Sequence, residues 1–510
     1  MKLPWLCKLW LLSFCCLSVS ATTFFVSPRG NDEASGTRPA DPWKSVARVN
    51  RYLSENGLKP GDSILFKGGS SFPGNLVIDR ARGGAPSRPA LIASYGSGTA
   101  TLLPGKESGV LIRETPWITV SNLNLTADRE NVGDGIRCDR NEESSARIPG
   151  LSLIDCRIVG FGWHGIMIDA VQHTNGFENL RIDGCITQGN RYAGIMVYGG
   201  NPTGRSWYPH AHISIFDCVA SDNSGDPDQL QFHSGSGIFV DGVDQATISR
   251  CVAFGNGLEC RNDAGGPVGI WAHAAREVII ERCESFNNHS SLRDGGGFDL
   301  DGGCEDSVMR WNFSHQNHGP GFLVYNYTGA AYQSRGCRVI ENVSVDDGER
   351  GTGYAGIQVG SESGCEILGL QIIRNTIIAP PGSVAAVKIS GHGIDANIQS
   401  NLVTAVSHGI LVSISGYGHH LAFVGNRYWR EDGAPAFLID TRWAVPSLAE
   451  WNNSTGPEQR FHAQAEEFTN PHFLRPPRGQ SGSTSHHPHW PTLQHVLGEG
   501  IGAPWRLPGS

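Results

Sequence analysis

"GGFDLD", residues 296–301, sets two aspartates two positions apart behind a pair of glycines. Aspartate is depleted in strands, so either the segment is no strand or its carboxylates have a use. The rest of the chain decides, because the pattern recurs. It returns as "DGIRCD" from 134, "HGIMID" from 164, "AGIMVY" from 193, "SGIFVD" from 236, "VGIWAH" from 268, "PGFLVY" from 320, "AGIQVG" from 355, "AAVKIS" from 385, "HGILVS" from 408 and "PAFLID" from 435. A second motif alternates with it, centred on Cys156, Cys185, Cys218, Cys251, Cys283, Asn312, Asn342, Asn375, Asn401 and Asn426, in steps of 25 to 33 residues. Five places beyond that column stands another: Asn190, Asn223, Asn256, Asn288 and Asn317.

Units of this length, each holding short period-2 strands and Gly or Asn turns, bury no core alone and must stack. The 3.6-residue spacing of a helical solenoid is absent. The fold class expected is therefore all-β, a parallel β-helix whose stacked asparagines hydrogen-bond along the axis. Together with "FFVSPRGNDEASGTRPADPWKSVARVN", "LKPGDSILFKGG" and "ASYGSG" near the start, the repeats resemble the right-handed parallel β-helix, pectate-lyase-like superfamily of secreted carbohydrate-active enzymes, in particular its glycoside hydrolases. The resemblance implies an N-terminal cap and first coils over 22–105, a parallel β-helix catalytic domain over 106–440, and a C-terminal capping segment and tail over 441–510. Fold alone does not fix chemistry.

Lys2 and Lys8, an apolar run and Val19-Ser20-Ala21 read as a secretory signal peptide over 1–21, so a secreted or periplasmic protein is expected. No later run is apolar enough for a membrane span. With 49 Asp+Glu against 40 Lys+Arg and no basic stripe, nucleic acid is excluded as a partner. The expected partner is a polysaccharide or oligosaccharide, bound by a monomer. The cysteine column reads as small buried side chains in a stack, whereas Cys260, Cys304, Cys337 and Cys365 are better placed for disulfides. No CxxC supports a zinc site. His164, His315 and His318 read as turn or structural residues, and His486, His487 and His489 as part of a loose tail.

Strand side chains alternate, so in each rung the first and third residues after the glycine face inward and the second and fourth face out. The outward pairs include Met196/Tyr198, Phe239/Asp241, Trp271/His273, Asp299/Asp301, Leu323/Tyr325 and Lys388/Ser390. At ~4.8 Å per coil, Asp241, His273, Asp299 and Asp301 share one patch. The longest inserts, "SGDPDQLQFHSG", "GLECRNDAGGP" and "HSSLRDGG", lead into these same rungs, as binding walls do. Candidate sugar-binding residues are Trp271, Phe239, Tyr198, Tyr325, Trp207, Tyr208, Arg205, Arg293 and His233.

Glycoside hydrolysis needs one protonated carboxyl and one carboxylate, and crowding raises carboxyl pKa values. Asp301 or Asp299 is the expected general acid, Asp241 with the remaining aspartate the base, and His273 a positioning partner. Residues i and i+2 on a strand lie ~6.6 Å apart, which leans toward inversion. No cofactor is required, calcium being optional. The alternative is a calcium-assisted polysaccharide lyase or uronate epimerase, in which Arg205, Arg261 or Arg293 reaches in as base because Lys388 lies ~14 Å away along the stack. A further alternative is a non-catalytic glycan-binding solenoid, which calls for flat repetitive outward columns in place of one acidic patch.

Overall fold

The computed structural model describes residues 20–453 and 461–467, apart from 81, 129, 141–145, 171–174, 201–206, 264, 350, 406–408, 417–419, 431–436 and 441–442. The chain is a right-handed parallel β-helix of about 11 turns. Each coil runs through a long strand, a tight bend, a short strand, a second bend and a strand of the sheet that carries the rungs. That sheet has fourteen strands among the described residues, from Leu76–Asp79 to Trp443–Val445, paired in chain order. All are parallel except the last pair, Phe437–Ile439 with Trp443–Val445.

Single residues in the left-handed region make the first bend: Asp155, Asp217, Arg250, Arg282, Trp311, Glu341 and Arg374 all have φ between 52° and 58°. Left-handed backbone costs an L-residue roughly 1–2 kcal/mol, and after Trp311, Glu341 and Arg374 an asparagine column offsets it. The backbone N–H and Nδ2 of Asn312 both donate to Oδ1 of Asn342 (2.9 and 3.1 Å), which repeats the pair onto Asn375, Asn375 onto Asn401, and Asn401 onto Asn426. The other column does the same from Asn190 through Asn223, Asn256, Asn288 and Asn317, and ends on Asp347 in the asparagine position. All are buried.

Inward positions fill the core as the alternation requires: Ile195, Val197, Ile238, Val240, Ile270, Ala272, Phe298 and Leu300 are fully buried, and Phe298 stacks on Phe322 with centroids 5.0 Å apart. All ten described cysteines are free and buried. The column cysteines are indeed a stack, but Cys260, Cys304, Cys337 and Cys365 form no disulfide, correcting that expectation. Thiols of Cys304 and Cys337 instead donate to backbone carbonyls of Ala272 and Cys304.

Both ends are covered. The helix Val46–Asn56 opens on Ser45, whose hydroxyl accepts from Arg48 N–H, and buries Val46, Val49 and Leu53. Its Asn50 donates to Asn75 carbonyl (2.9 Å) and accepts from Val77 N–H (3.0 Å), occupying polar groups beside the first edge strand. At the other end Trp451, in the helix Leu448–Asn453, stacks on Phe437 at 4.5 Å. No helix of the described residues is long and apolar enough to cross a membrane.

One rung is displaced. "HGILVS" was expected to align Ile410 with Val387, but the strand is Val412–Ser415 and Val412 pairs with Val387. A two-residue slip keeps every side chain on its face, so alternation cannot reveal it.

Truncating Asn312 to Ala strips an acceptor from Cys283 N–H and a donor from Ile280 carbonyl. With each buried orphan costing about 1–3 kcal/mol, N312A is expected to lower urea-unfolding stability by several-fold more than N56A in the exposed first helix. Equal midpoints for the two variants would deny the ladder its structural weight.

Candidate active site

The register assembles the acidic patch. On the rung sheet Tyr198 pairs with Asp241, Asp241 with His273 and His273 with Asp301, while Phe239 pairs with Trp271 and Trp271 with Asp299. These positions point away from the core, yet not into open solvent: Asp241 is 1 %, Asp299 2 %, Phe239 3 % and Trp271 4 % exposed. The inserted loops fold over the sheet and convert a solvated face into a cleft of about 990 Å³. Its lining runs from Arg137 to Lys388, eight coil steps or ~38 Å at the strand spacing.

Phe239 and Trp271 stack face to face at 3.7 Å, and the His233 ring stands edge-on against both, at 5.6 and 5.0 Å. Trp271 Nε1 donates to Ser236 Oγ (3.2 Å). Burial holds His233 down to about 4, so it is a neutral lid on the aromatic pair.

Both oxygens of Asp241 are bonded. Its Oδ1 meets His273 Nδ1 at 2.6 Å and its Oδ2 accepts from Gly200 N–H at 2.6 Å. His273 Nε2 lies 2.8 Å from the Tyr327 hydroxyl. Burial opposes the charge on His273, but the bond to Asp241 and the fields of Asp241 and Asp301 raise its pKa overall. Each carboxylate oxygen keeps a second lone pair, so these bonds fix the orientation of Asp241 without excluding the base role expected of it. Asp241 orients His273.

Burial raises the pKa of four carboxyls that line the cleft, Asp169 beside Arg137 and the group of Asp294, Asp299 and Asp301. Burial lifts Asp301 to about 6 against the opposing pull of His273 and Gly302 N–H. Asp299 is driven well up by burial, then by Asp301 and Asp294, and its Oδ1 is buried with no hydrogen-bond partner. Asp294 is likewise raised by burial; its carboxylate accepts from Gly266 N–H and, at 3.4 Å, from Tyr354 OH, while its own N–H donates to that hydroxyl at 2.7 Å.

Toward the N-terminal coils the wall is aromatic, with Trp163 and Tyr192 stacked at 4.8 Å and Phe232 beside them at 6.2 Å. There Arg137 is held by Asp134 (3.0 Å), Asp139 (2.5 Å) and Asp169 (2.6 Å), and His164, read above as a turn residue, bonds Asp134 at 2.8 Å. At the far end Lys388 donates to Gly353 carbonyl at 2.8 Å.

Of the residues singled out from sequence, Asp241, His273, Asp299, Asp301, Trp271, Phe239, Tyr198, Tyr325, Arg293 and His233 line this one cleft. Tyr208 does not: it is 1 % exposed beneath the Arg276 guanidinium at 5.5 Å. Trp207 donates from Nε1 to Asn175 at 3.1 Å, also outside the lining. Both follow a rung and were carried by the chain to the next corner of the coil. Arg205 lies outside the described residues. Asp294, Tyr327, Tyr354, Trp163 and Tyr192 were missed; long inserts held the first two, the only signal that pointed to them.

The family described as right handed beta helix region matches residues 134–377. A curated relative, a lacto-N-biosidase of Bifidobacterium longum subsp. longum, is 31 % identical over 383 residues, covering 59 % of this chain and 23 % of its own length. The chain thus spans about a quarter of the relative it matches. Among solved structures, a GH136 lacto-N-biosidase from Eubacterium ramulus superposes with a TM-score of 0.51 at 18 % identity, over 78 % of this chain and 67 % of that one. The mannuronan C-5 epimerase AlgE4 A-module of Azotobacter vinelandii gives 0.46 at 13 % identity, over 74 % and 94 %. The family match and the coil architecture define the class: a right-handed parallel β-helix protein.

A carboxyl whose pKa is raised by folding costs stability once the unfolded chain ionises. For Asp301, raised from 3.8 to about 6, stability is lost as pH climbs between those values, by roughly 2–3 kcal/mol. D301N is therefore expected to melt higher than wild type at pH 8 and at the same temperature near pH 4. A melting point unchanged or lowered at pH 8 would contradict the burial of this charge.

Proposed function

We propose that the chain is a secreted glycoside hydrolase that cleaves a neutral or mixed oligosaccharide or polysaccharide by carboxylate acid/base catalysis. The observation that carries the reading is the group of three desolvated carboxyls beside His273 in a long cleft with aromatic walls. Asp301 has the lowest barrier to ionisation of the two rung aspartates, being next to His273, and serves as the carboxylate that attacks the sugar or activates water. Asp294 serves as the acid: it stands on the loop before the strand and lines the same cleft as Asp301, and glycoside hydrolysis calls for two carboxyls flanking the bond. Asp299, protonated, supplies an O–H to a sugar oxygen. His273 is a positioning residue, held between Asp241 and Tyr327.

Substrate polarity follows from charge. Arg137 is neutralised by three aspartates and Lys388 is tied to a carbonyl, so a uronate polymer meets few available cations. The curated relative's name points to a lacto-N-biose-type glycoside as the first substrate to try. We take the protein to act as an extracytoplasmic monomer whose chemistry requires no cofactor. The lyase alternative draws support from Lys388, whose burial lowers its pKa within the same cleft, as a proton-abstracting base requires. Choosing Asp294 as acid removes the basis for inversion, which rested on the i, i+2 spacing.

The secreted protein is to be assayed on lacto-N-biose-type, other neutral and uronate glycans, reading new reducing ends and unsaturated-product absorbance separately, with and without chelator. Reducing ends without absorbance are expected on a neutral glycan. Absorbance growth lost in K388A would establish the lyase instead. D301N and D294N are each expected to lower kcat about 10²–10⁴-fold, the range for acid/base groups, and full activity in both would end the assignment. The profile of kcat/KM should be bell-shaped, with one limb near pH 6 set by Asp301 and the other set by the second carboxyl. Proton NMR of the first-formed anomer reads the stereochemical course.

A further inference from the structure

Behind the turn that carries Asp294, three side chains from successive coils converge. His289 follows Asn288, His318 follows Asn317, and Glu349 follows Asp347 and Gly348. The ladder places them: Asn288 Nδ2 donates to Asn317 Oδ1 at 3.0 Å, and Asn317 Nδ2 to Asp347 Oδ1 at 2.8 Å. Just beyond, the backbone keeps the same pile, with His289 N–H donating to Asn256 carbonyl, His318 N–H to Asn288 carbonyl and Glu349 N–H to His318 carbonyl, at 2.8 to 3.1 Å. The two imidazoles come to 4.3 Å between ring centroids, tilted by 32°. One ligand atom from each of the three residues lies within 4.8 Å of the others.

We infer that His289, His318 and Glu349 form a binding site for a divalent transition ion of the zinc type. Three observations converge on a ligand. First, His289 Nδ1 is buried without a hydrogen-bond partner of acceptable geometry, and a buried imidazole nitrogen left unmatched costs free energy that a metal bond would recover. Second, His318 Nδ1 faces the Asp294 carbonyl at 3.4 Å. That is the outer hydrogen bond by which ligating histidines are oriented, and it leaves Nε2 for the ion. Third, the donor set is chemically selective. Two imidazoles and a carboxylate suit zinc and its neighbours, whereas calcium takes oxygen ligands. Three protein ligands leave a fourth position for water, and a tetrahedron with ~2.0–2.1 Å bonds has edges of ~3.4 Å, so the three side chains draw together when the ion binds, the exposed Glu349 by rotation.

The place of the site gives it a use. Gly319 N–H donates to Gly295 carbonyl and Gly295 N–H to Pro267 carbonyl, so the segment bearing His318 is stitched to the turn bearing Asp294. An ion there braces that turn from behind. Ion binding stands apart from the proposed reaction; only the consequence for Asp294 depends on it.

The test must separate this site from the tail histidines. Full-length protein with H486A, H487A and H489A is stripped with EDTA, desalted and dialysed against zinc chloride. One zinc per chain is expected, with a melting temperature that zinc raises. H289A/H318A in the same background should bind none and melt independently of zinc, its fold checked by circular dichroism in EDTA. Because Glu349 is exposed, E349Q folds regardless and should weaken zinc binding about tenfold or more, since even outer-shell losses cost that much. Zinc absent from the folded tail variant, or bound with unchanged affinity by E349Q and by H289A/H318A, overturns the inference.

Discussion

From Asn190 to Asn426 the stack, and with it the cleft, depends on the paired donation from one asparagine to the side-chain carbonyl of its neighbour in the next coil. An amide oxygen that accepts both the backbone and the side-chain N–H of its neighbour fixes adjacent coils to within the tolerance of a hydrogen bond. Repetition makes the constraint cumulative. Where the ladder ends on Asp347, the carboxylate still accepts from Asn317 and is lifted by burial to about 6. The column tolerates the exchange because what it needs at its end is an acceptor.

Such regularity allows one irregular region to be costly. Three carboxyls with raised pKa values, one with an unmatched buried oxygen, lie on one strand and the loop that leads into it. Strain of this kind persists only where surrounding structure over-determines it, and a stack paired on both sides of every coil does so. The loops complete the effect by excluding water from Asp299 and Asp241, which raises the one and leaves the other bonded to His273 and Gly200. Function in this fold is thus a property of the inserts acting on a scaffold that does not change.

The scaffold was legible because its signals are local and repeated. Glycine followed by alternating apolar residues names the inward face, and it brought Asp241, His273, Asp299 and Asp301 to one wall as expected. The slip at Val412 marks the limit of that reading, since a shift of two residues leaves alternation unaltered. Tyr208 and Trp207 show another. An aromatic after a rung is as well used beneath Arg276 or against Asn175 as in a cleft, and nothing local distinguishes the outcomes. Asp294, Tyr327 and Tyr354 were invisible as individuals because each acquires its place from a loop conformation set by residues 28 to 60 positions away.

By itself, then, the amino-acid order determined the coil, the period and the two outward columns, because strand alternation and an amide ladder are satisfied by nearest neighbours in the stack. Tertiary structure alone decided which of the aligned acids are free to titrate, which is locked to His273, and which histidines meet. Those outcomes turn on desolvation and on contacts between inserts, and both arise only when distant loops close over the sheet.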